Sequence, residues 1–220
     1  MINRILLVVS AILMIAALYM VFIFVPTDVE MGVIQRIFYF HVPMGWVAFL
    51  AFFLVFLASI IYLARRNRKW DIFASSSAEI GLVFTTLMLI SGSIWAKPVW
   101  GVWWTWDPRL TTSLVLWIIF VAYFLVRSYL ADADRRARFA AVVGIIGFID
   151  VPIVALAITL TRTQHPSAII FEGGLVPAMM MTLMVCIIAF TALFVLVLRE
   201  RLGMKYDDQE LRKLKELVRR

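Results

Sequence analysis

Six apolar segments dominate what this chain can fold into: roughly Ile5–Val25, Pro43–Ala64, Ala78–Trp95, Leu110–Leu130, Phe139–Leu160 and Leu175–Leu198. A helix crosses the hydrocarbon core of a bilayer with about 20 mainly apolar residues and satisfies its own backbone hydrogen bonds on the way. With 64% hydrophobic and only 16% charged residues among 220, and a mean hydropathy of +0.96, little chain remains for a soluble domain. The expected fold class is an all-α integral membrane protein. Residues 1–198 form a unit of six transmembrane helices, and residues 199–220 a cytoplasmic amphipathic tail. The first segment follows Asn3 and Arg4, but it has no small-x-small site before Pro26, so it reads as a retained helix and not as a cleaved leader.

The net charge of +7 is distributed in a way that points to a membrane and not to nucleic acid. Of the 21 Lys and Arg, only Arg36, Lys97, Arg109 and Arg162 fall on one side of the six spans. By the positive-inside rule both termini are then cytoplasmic, and the loops Pro26–Val42, Ala96–Arg109 and Thr161–Gly174 face the periplasm. The single cysteine, Cys186, excludes a disulfide framework and a CxxCH site for covalent haem. No GxxxxGK[ST] stretch is present, so nucleotide hydrolysis by this chain alone is not expected. In the tail, Leu211, Leu214, Leu217 and Val218 recur at helical spacing, the pattern of a short amphipathic helix that lies on lipid headgroups or docks a partner subunit.

The unusual chemistry falls in the outer loops. The chain has two histidines, His41 and His165, one in each of two outer loops, and both stand near prolines, Pro43 and Pro166. Pro43 suits the first turn of a helix, while the residue before Pro166 is held extended. Met31–His41 reads as an interfacial helix that presents His41 beside Phe38, Tyr39 and Phe40. A lone exposed histidine is commonly just an interfacial polar group, but a pair on one face is a candidate set of axial ligands for haem iron. Zinc would usually want three or four ligands, and the nearby acids, Asp28, Glu30, Asp107 and Glu172, are sparse.

Between the histidines lies VWGVWWTWDPRLTT, with Trp100, Trp103, Trp104 and Trp106 in seven residues. An aromatic belt accounts for Trp46 and Trp95, since indole favours the membrane edge. Four indoles exceed what anchoring one loop needs. If the stretch is helical, positions 100, 103 and 104 share a face and make a flat wall for a planar, conjugated ligand. Removing on the order of 200 Å² of indole from water contributes about 5 kcal/mol. Lipid tails compete for the same surface, so selectivity falls to the iron–imidazole bonds.

Asp107 followed by Pro108 is a favoured helix start, aspartate at the N-cap and proline at N1. Arg109 is a candidate partner for a ligand carboxylate, with Arg36, Arg162 and Lys97 behind it, although arginines at a membrane edge usually meet lipid phosphate or water. Asp150, in the middle of the fifth span, is a functional candidate because an ionisable group there is costly. It is equally a carboxyl that satisfies backbone groups freed by Pro152. Glu79 is expected to face water or pair with a basic loop residue. Met179, Met180 and Met181 read as packing.

WGVWWTWDPRLT resembles the tryptophan-rich WWD motif of the haem-handling proteins of cytochrome c biogenesis, and FYFHVPMGW and TRTQHPSAI resemble their paired histidine loops. Six spans and one WWD loop are similar to the small haem exporter protein C family, over about Gln35 to Leu198. The resemblance implies non-covalent haem b with His41 and His165 as axial ligands. Trp100, Trp103, Trp104, Trp106 and Asp107 would form the haem-contacting loop, and Arg109 would be a propionate partner. It also implies an ABC-type complex in the bacterial inner membrane, made of an ATPase, a second membrane subunit and a small single-helix protein, which loads a periplasmic haem chaperone. Any transfer activity would be haem delivery, the bond-forming chemistry belonging to haem and its acceptor. The rival reading is a cytochrome b-like redox subunit that keeps its haem permanently. A third is a transporter or assembly subunit whose tryptophans only anchor it.

Overall fold

A computed structural model describes residues 2–166 and 174–218; Ser167, Ala168 and Ile169 of the second histidine loop, and Glu172, lie outside the described residues. Six long apolar helices make the fold: α1 (Ile2–Tyr19, prolonged by a π-helical turn, Met20–Phe24), α2 (Phe38–Arg65), α3 (Arg68–Trp100), α4 (Pro108–Tyr129), α5 (Ala133–Leu160) and α6 (Pro177–Val218). Apart from an isolated bridge between Asp28 and Gly32, the described residues contain no β-structure. The six apolar segments of the sequence each become one helix, as an all-α membrane fold requires.

Side-chain caps set several helix boundaries. Asn67 accepts from the Lys69 amide at the start of α3, Asp107 from Arg109 at the start of α4, and Asp132 from Arg135 at the start of α5. At the other end of α3, Gly101 takes φ +79°, a left-handed stop that a side chain would strain. The helix therefore ends at Trp100, and residues 101–107 are not helical. The expected helical face of Trp100, Trp103 and Trp104 does not exist.

α2 lies at the centre of the bundle, against α3, α5 and α6. Phe52 stacks on Phe120 with ring centroids 3.6 Å apart, joining α2 to α4. Small residues on α5, Ala140, Gly144 and Gly147, bring it close to α2 and α4, the usual way membrane helices gain contact where lipid offers no hydrophobic drive. α1 packs on α6 through Ala17, Val21, Leu183 and Cys186.

The end of the bundle that carries the chain termini is tied by polar contacts. Asp71, 4% exposed, accepts two hydrogen bonds from the Arg127 guanidinium at 2.6 and 3.2 Å, and Arg127 also lies over the Tyr123 ring. Glu79 pairs with Arg201 and with Lys205, the latter at 2.9 Å, and Lys205 also donates to Ser75. The partners of Glu79 are thus on α6 and not in a loop. α6 runs unbroken from Pro177 to Val218, where a separate tail helix was expected. Gly203 is the weakest helix former in residues 199–218, and its unfavourable contribution of about 1 kcal/mol does not stop a helix fixed by Arg201 and Lys205.

Candidate functional site

The opposite end of the bundle gathers the two histidines. His41 lies in the first turns of α2, preceded by a 3-10 turn, Val33–Ile37, in place of the expected interfacial helix. α2 begins at Phe38, five residues before Pro43, so Pro43 is inside the helix and not at its first position. Aromatic packing accounts for the early start. Tyr39 is fully buried, its hydroxyl accepts from Gln35, and Phe40 meets Phe22 and Phe190.

The His41 ring is fixed from α3. Its Nδ1 lies 3.1 Å from the Ser91 hydroxyl, and that hydroxyl already donates to the Met88 carbonyl. Nδ1 must therefore carry the proton and donate, which leaves the Nε2 lone pair for a ligand. Gly92 lets the ring in: a Cβ there would stand 3.0 Å from His41 Cε1.

His165 reaches the same place from the non-helical run after α5. Its Nδ1 lies 3.1 Å from the Pro166 carbonyl, an acceptor only, so here too Nδ1 donates and Nε2 is left with its lone pair. The two rings stand with centroids 6.4 Å apart and planes 34° from parallel. Two imidazoles bound on opposite sides of one metal ion, with bonds of about 2 Å and centroids about 1.2 Å behind the bonding nitrogens, lie roughly 6 Å apart. The spacing fits a bis-imidazole metal centre. Burial, with the positive charge of Arg109 adding to it, pulls the His165 imidazole down to about 4, so it is neutral at physiological pH.

Asp107 holds this run in place. Its carboxylate accepts from the Thr163 hydroxyl at 2.7 Å, from the Gln164 amide at 2.7 Å and from the Arg109 amide at 3.0 Å, and Thr163 in turn accepts from the His165 amide. Burial alone would raise this carboxyl. The hydrogen bonds from Thr163, Gln164 and Arg109 outweigh it and hold the group below the ordinary carboxylate value.

A cavity of about 290 Å³ opens between these elements, lined by His41, His165, Trp95, Trp100, Trp104 and Arg109 among mainly apolar neighbours from α2, α3 and α6. Of the expected tryptophan wall, Trp100 and Trp104 line it. Trp103 and Trp106 do not, and are 58% and 77% exposed. Asp107 is 8% exposed and supports the cavity from behind. Trp95, given to the aromatic belt by the sequence, lines it as well and meets Trp100 edge to face. Among the described residues, the Arg109 side chain reaches the cavity with one guanidinium nitrogen buried and without a hydrogen-bond partner, and the Trp104 indole N–H is in the same condition. Buried donors left unpaired are costly; a carboxylate-bearing ligand would satisfy the guanidinium.

The remaining candidates lie apart from these groups. Lys97 donates to the Gly101 carbonyl, Arg36 to the Phe22 carbonyl, and Arg162 is exposed. Asp150 is buried in α5 away from the cavity, and its Oδ2 has no partner among the described residues, so it does not satisfy the backbone freed by Pro152 through that atom. Sequence reasoning missed Ser91, Gly92 and Thr163. Only Thr163, a hydroxyl two residues before a His-Pro pair, carried a local pattern that could have been read.

Comparison with known proteins gives a consistent set of relatives. The family model described as Heme exporter protein C matches residues 1–216. Heme exporter protein C of Bradyrhizobium diazoefficiens is 35% identical over 173 residues, 77% of this chain and 66% of the relative, and that of Escherichia coli is 34% identical over 161 residues, 71% and 64% respectively. A putative cytochrome c biosynthesis ccmC-like mitochondrial protein of Marchantia polymorpha is 31% identical over 158 residues, 72% of this chain and 67% of the relative. The matched region thus spans about two thirds of the length of these relatives.

Proposed function

The chain belongs to the haem exporter protein C family, and from that premise we propose that it binds haem b non-covalently between His41 and His165 and delivers it to a periplasmic haem chaperone during cytochrome c maturation. The observation that carries this reading is the pair of imidazoles, 6.4 Å apart, each with Nδ1 donating a hydrogen bond and Nε2 left with its lone pair.

The remaining residues take roles that follow from their positions. Trp100 and Trp104, with Trp95 beside them, offer aromatic surface to a flat macrocycle. Arg109 supplies a cation for a propionate. Asp107 bears no ligand contact in this scheme and keeps the loop in place, while Trp103 and Trp106 face outward. The chain binds, orients and releases; bond formation belongs to haem and its acceptor.

In this proposal both termini are cytoplasmic, the site end faces the periplasm of a bacterial inner membrane, and residues 1–198 are the haem-handling unit with 199–220 as a cytoplasmic extension. The partners are an ABC-type ATPase, a second membrane subunit and a small single-helix subunit, with nucleotide hydrolysis assigned to the ATPase.

The test is the reduced absorption spectrum of detergent-solubilised protein from haem-replete membranes, beside His41→Gly and His165→Gly. Wild type is expected to carry haem with a bis-imidazole spectrum, each variant to lose most of it, and added imidazole to restore it. Variants that keep the wild-type spectrum would overturn the axial assignment. Haem that never passes to a chaperone would favour the redox subunit.

A further inference from the structure

The two histidines are held by different means, and the difference assigns a task to Asp107. His41 belongs to a helix, α2, and its ring is wedged between the Ser91 hydroxyl and the backbone of Gly92 on a second helix, α3. His165 belongs to the run 161–166, which has no helical hydrogen-bond ladder of its own. Thr161 returns its amide and hydroxyl to the Ala157 carbonyl at the end of α5; beyond it, among the described residues, the side-chain and amide hydrogen bonds that tie this run to another element are those of Thr163 and Gln164, and both go to Asp107. The Thr163 hydroxyl is at once donor to Asp107 and acceptor for the His165 amide, so the carboxylate reaches His165 through a single intervening group.

We infer that Asp107 is a positioning residue: through Thr163 and Gln164 it clips the 161–166 run onto the cap of α4, and His165 stands opposite His41 only while that clip is closed. His41 is the fixed side of the site and His165 the side that can be withdrawn. The arrangement matches a protein that must surrender its cargo. A ligand held by two helix-borne imidazoles would have to break into a packed core to leave. A ligand held by one helix-borne imidazole and one clipped imidazole needs only the two hydrogen bonds to Asp107 to part.

The same arrangement ties α4 to the loop. The Asp107 carboxylate also accepts from the Arg109 amide, so the residue that places His165 is the N-cap of the helix that carries Arg109. A change at the clip therefore moves the second imidazole and leaves α2 and α3, at the other side of the cavity, as they are.

This inference rests on the haem-binding reading, and the experiment separates the two. Thr163→Val removes the hydroxyl half of the clip, and with it the acceptor of the His165 amide, and keeps the Gln164 bond and the Asp107 cap of α4. Asp107→Asn weakens both, and Thr163→Ser retains the hydroxyl. Two readouts apply: the spectrum of the haem-loaded protein, and amide hydrogen exchange of residues 161–165 in the haem-free protein. Thr163→Val is expected to shift the spectrum from two imidazole ligands toward one, as His165→Gly does, with the wild-type spectrum returning in Thr163→Ser. In the haem-free Thr163→Val protein the His165 amide, which loses its acceptor, should exchange about tenfold faster, the factor for losing one ordinary hydrogen bond. Wild-type spectra and wild-type exchange in Thr163→Val and Asp107→Asn, with His165→Gly still impaired, would overturn the clip and leave the ligand pair standing. If wild-type protein takes up no haem, the haem-binding reading fails, and the exchange data alone decide the clip.

Discussion

The His41 ring lies against the backbone of Gly92, 3.0 Å from the point a Cβ would occupy. That gap is tighter than an ordinary contact, and the neighbouring Ser91 hydroxyl accepts a hydrogen bond from Nδ1–H, so the ring has neither room to move nor another tautomer. Gly92→Ala is therefore expected to push His41 off its axis. Overpacking of a tight site costs about 1–3 kcal/mol, and the bis-imidazole spectrum should weaken even in the folded fraction. A Gly92→Ala protein with wild-type spectrum and thermal stability would show that the ring can give way.

Ser91→Ala tests the tautomer separately from the packing. Groups that orient a metal-bound imidazole from behind typically contribute 10–100-fold in affinity. Haem retention in Ser91→Ala should fall by about that factor, measured by haem transfer to an apo-acceptor protein, while Ser91→Thr keeps the acceptor oxygen and should retain most of the binding. Equal retention in all three would remove Ser91 from the site.

The sequence disclosed the parts of this molecule that are local and periodic. Six apolar runs, the Asp107–Pro108 helix start, and two histidines on one face are all written in short stretches, and the structure bears out the helix start and the joint location of the rings. What escaped notice depends on tertiary partners. Asp71 and Ser75 look like a polar helix start, and they are buried because Arg127 and Lys205 arrive from α4 and α6. Trp103 and Trp106 were grouped with Trp100 and Trp104 by composition, but Gly101 ends α3 and the following turns face two of the four indoles outward. Glycine inside the tryptophan run was the sign, and it is a helix stop that periodicity alone does not register.

The four tryptophans should accordingly separate in a retention assay. Trp100→Ala and Trp104→Ala remove aromatic surface from the cavity and are expected to lower haem retention several-fold, each by less than a histidine substitution. Trp103→Ala and Trp106→Ala should leave retention near wild type, because those rings stand outside. Equal losses in all four would mean that the outward indoles fold in on binding.

The pH dependence of the haem-free protein follows from His165. Its imidazole is held near 4, against an ordinary value of about 6.5. In the unfolded chain it takes a proton below about 6.5, and in the folded protein not until about 4. Unfolding therefore gains protons across that window, and stability falls as pH drops from about 6.5 to about 4 and levels off below it. NMR of labelled imidazole should place the His165 midpoint near 4, and His165→Gln should lose that part of the slope. A midpoint near 6.5 would mean that the loop leaves the ring in water.

At the far end, Asp71 and Arg127 form the kind of buried pair whose half-removal is costly. Arg127→Met leaves the buried Asp71 carboxylate with only the half-exposed Arg68 guanidinium, 4.0 Å away, and is expected to lower stability by up to about 3–5 kcal/mol, whereas Asp71→Leu with Arg127→Met, which leaves no buried charge, should recover much of that loss. The haem spectrum of whatever folds should be unchanged, because the pair lies at the end opposite the histidines. A double variant no better than the single would mean that the pair does more than neutralise itself.

Orientation is the premise on which delivery to a periplasmic acceptor depends, and the fold makes it testable. The His41 and His165 end and the end holding the termini are opposite, so one residue on each suffices. Val29 is 99% exposed near the first histidine loop and Leu217 is exposed at the end of α6, while the single cysteine, Cys186, is buried and can be replaced by serine. In a Cys186→Ser background, Val29→Cys should react with a membrane-impermeant thiol reagent in spheroplasts, and Leu217→Cys only after permeabilisation. The argument is the charge asymmetry: among the described residues, the Lys and Arg other than Arg36, Lys97, Arg109 and Arg162 lie at or beyond the terminal end, the pattern of a cytoplasmic face. The reverse labelling would turn the cavity toward the cytoplasm, and the imidazole pair would then have to hand its ligand to an acceptor there.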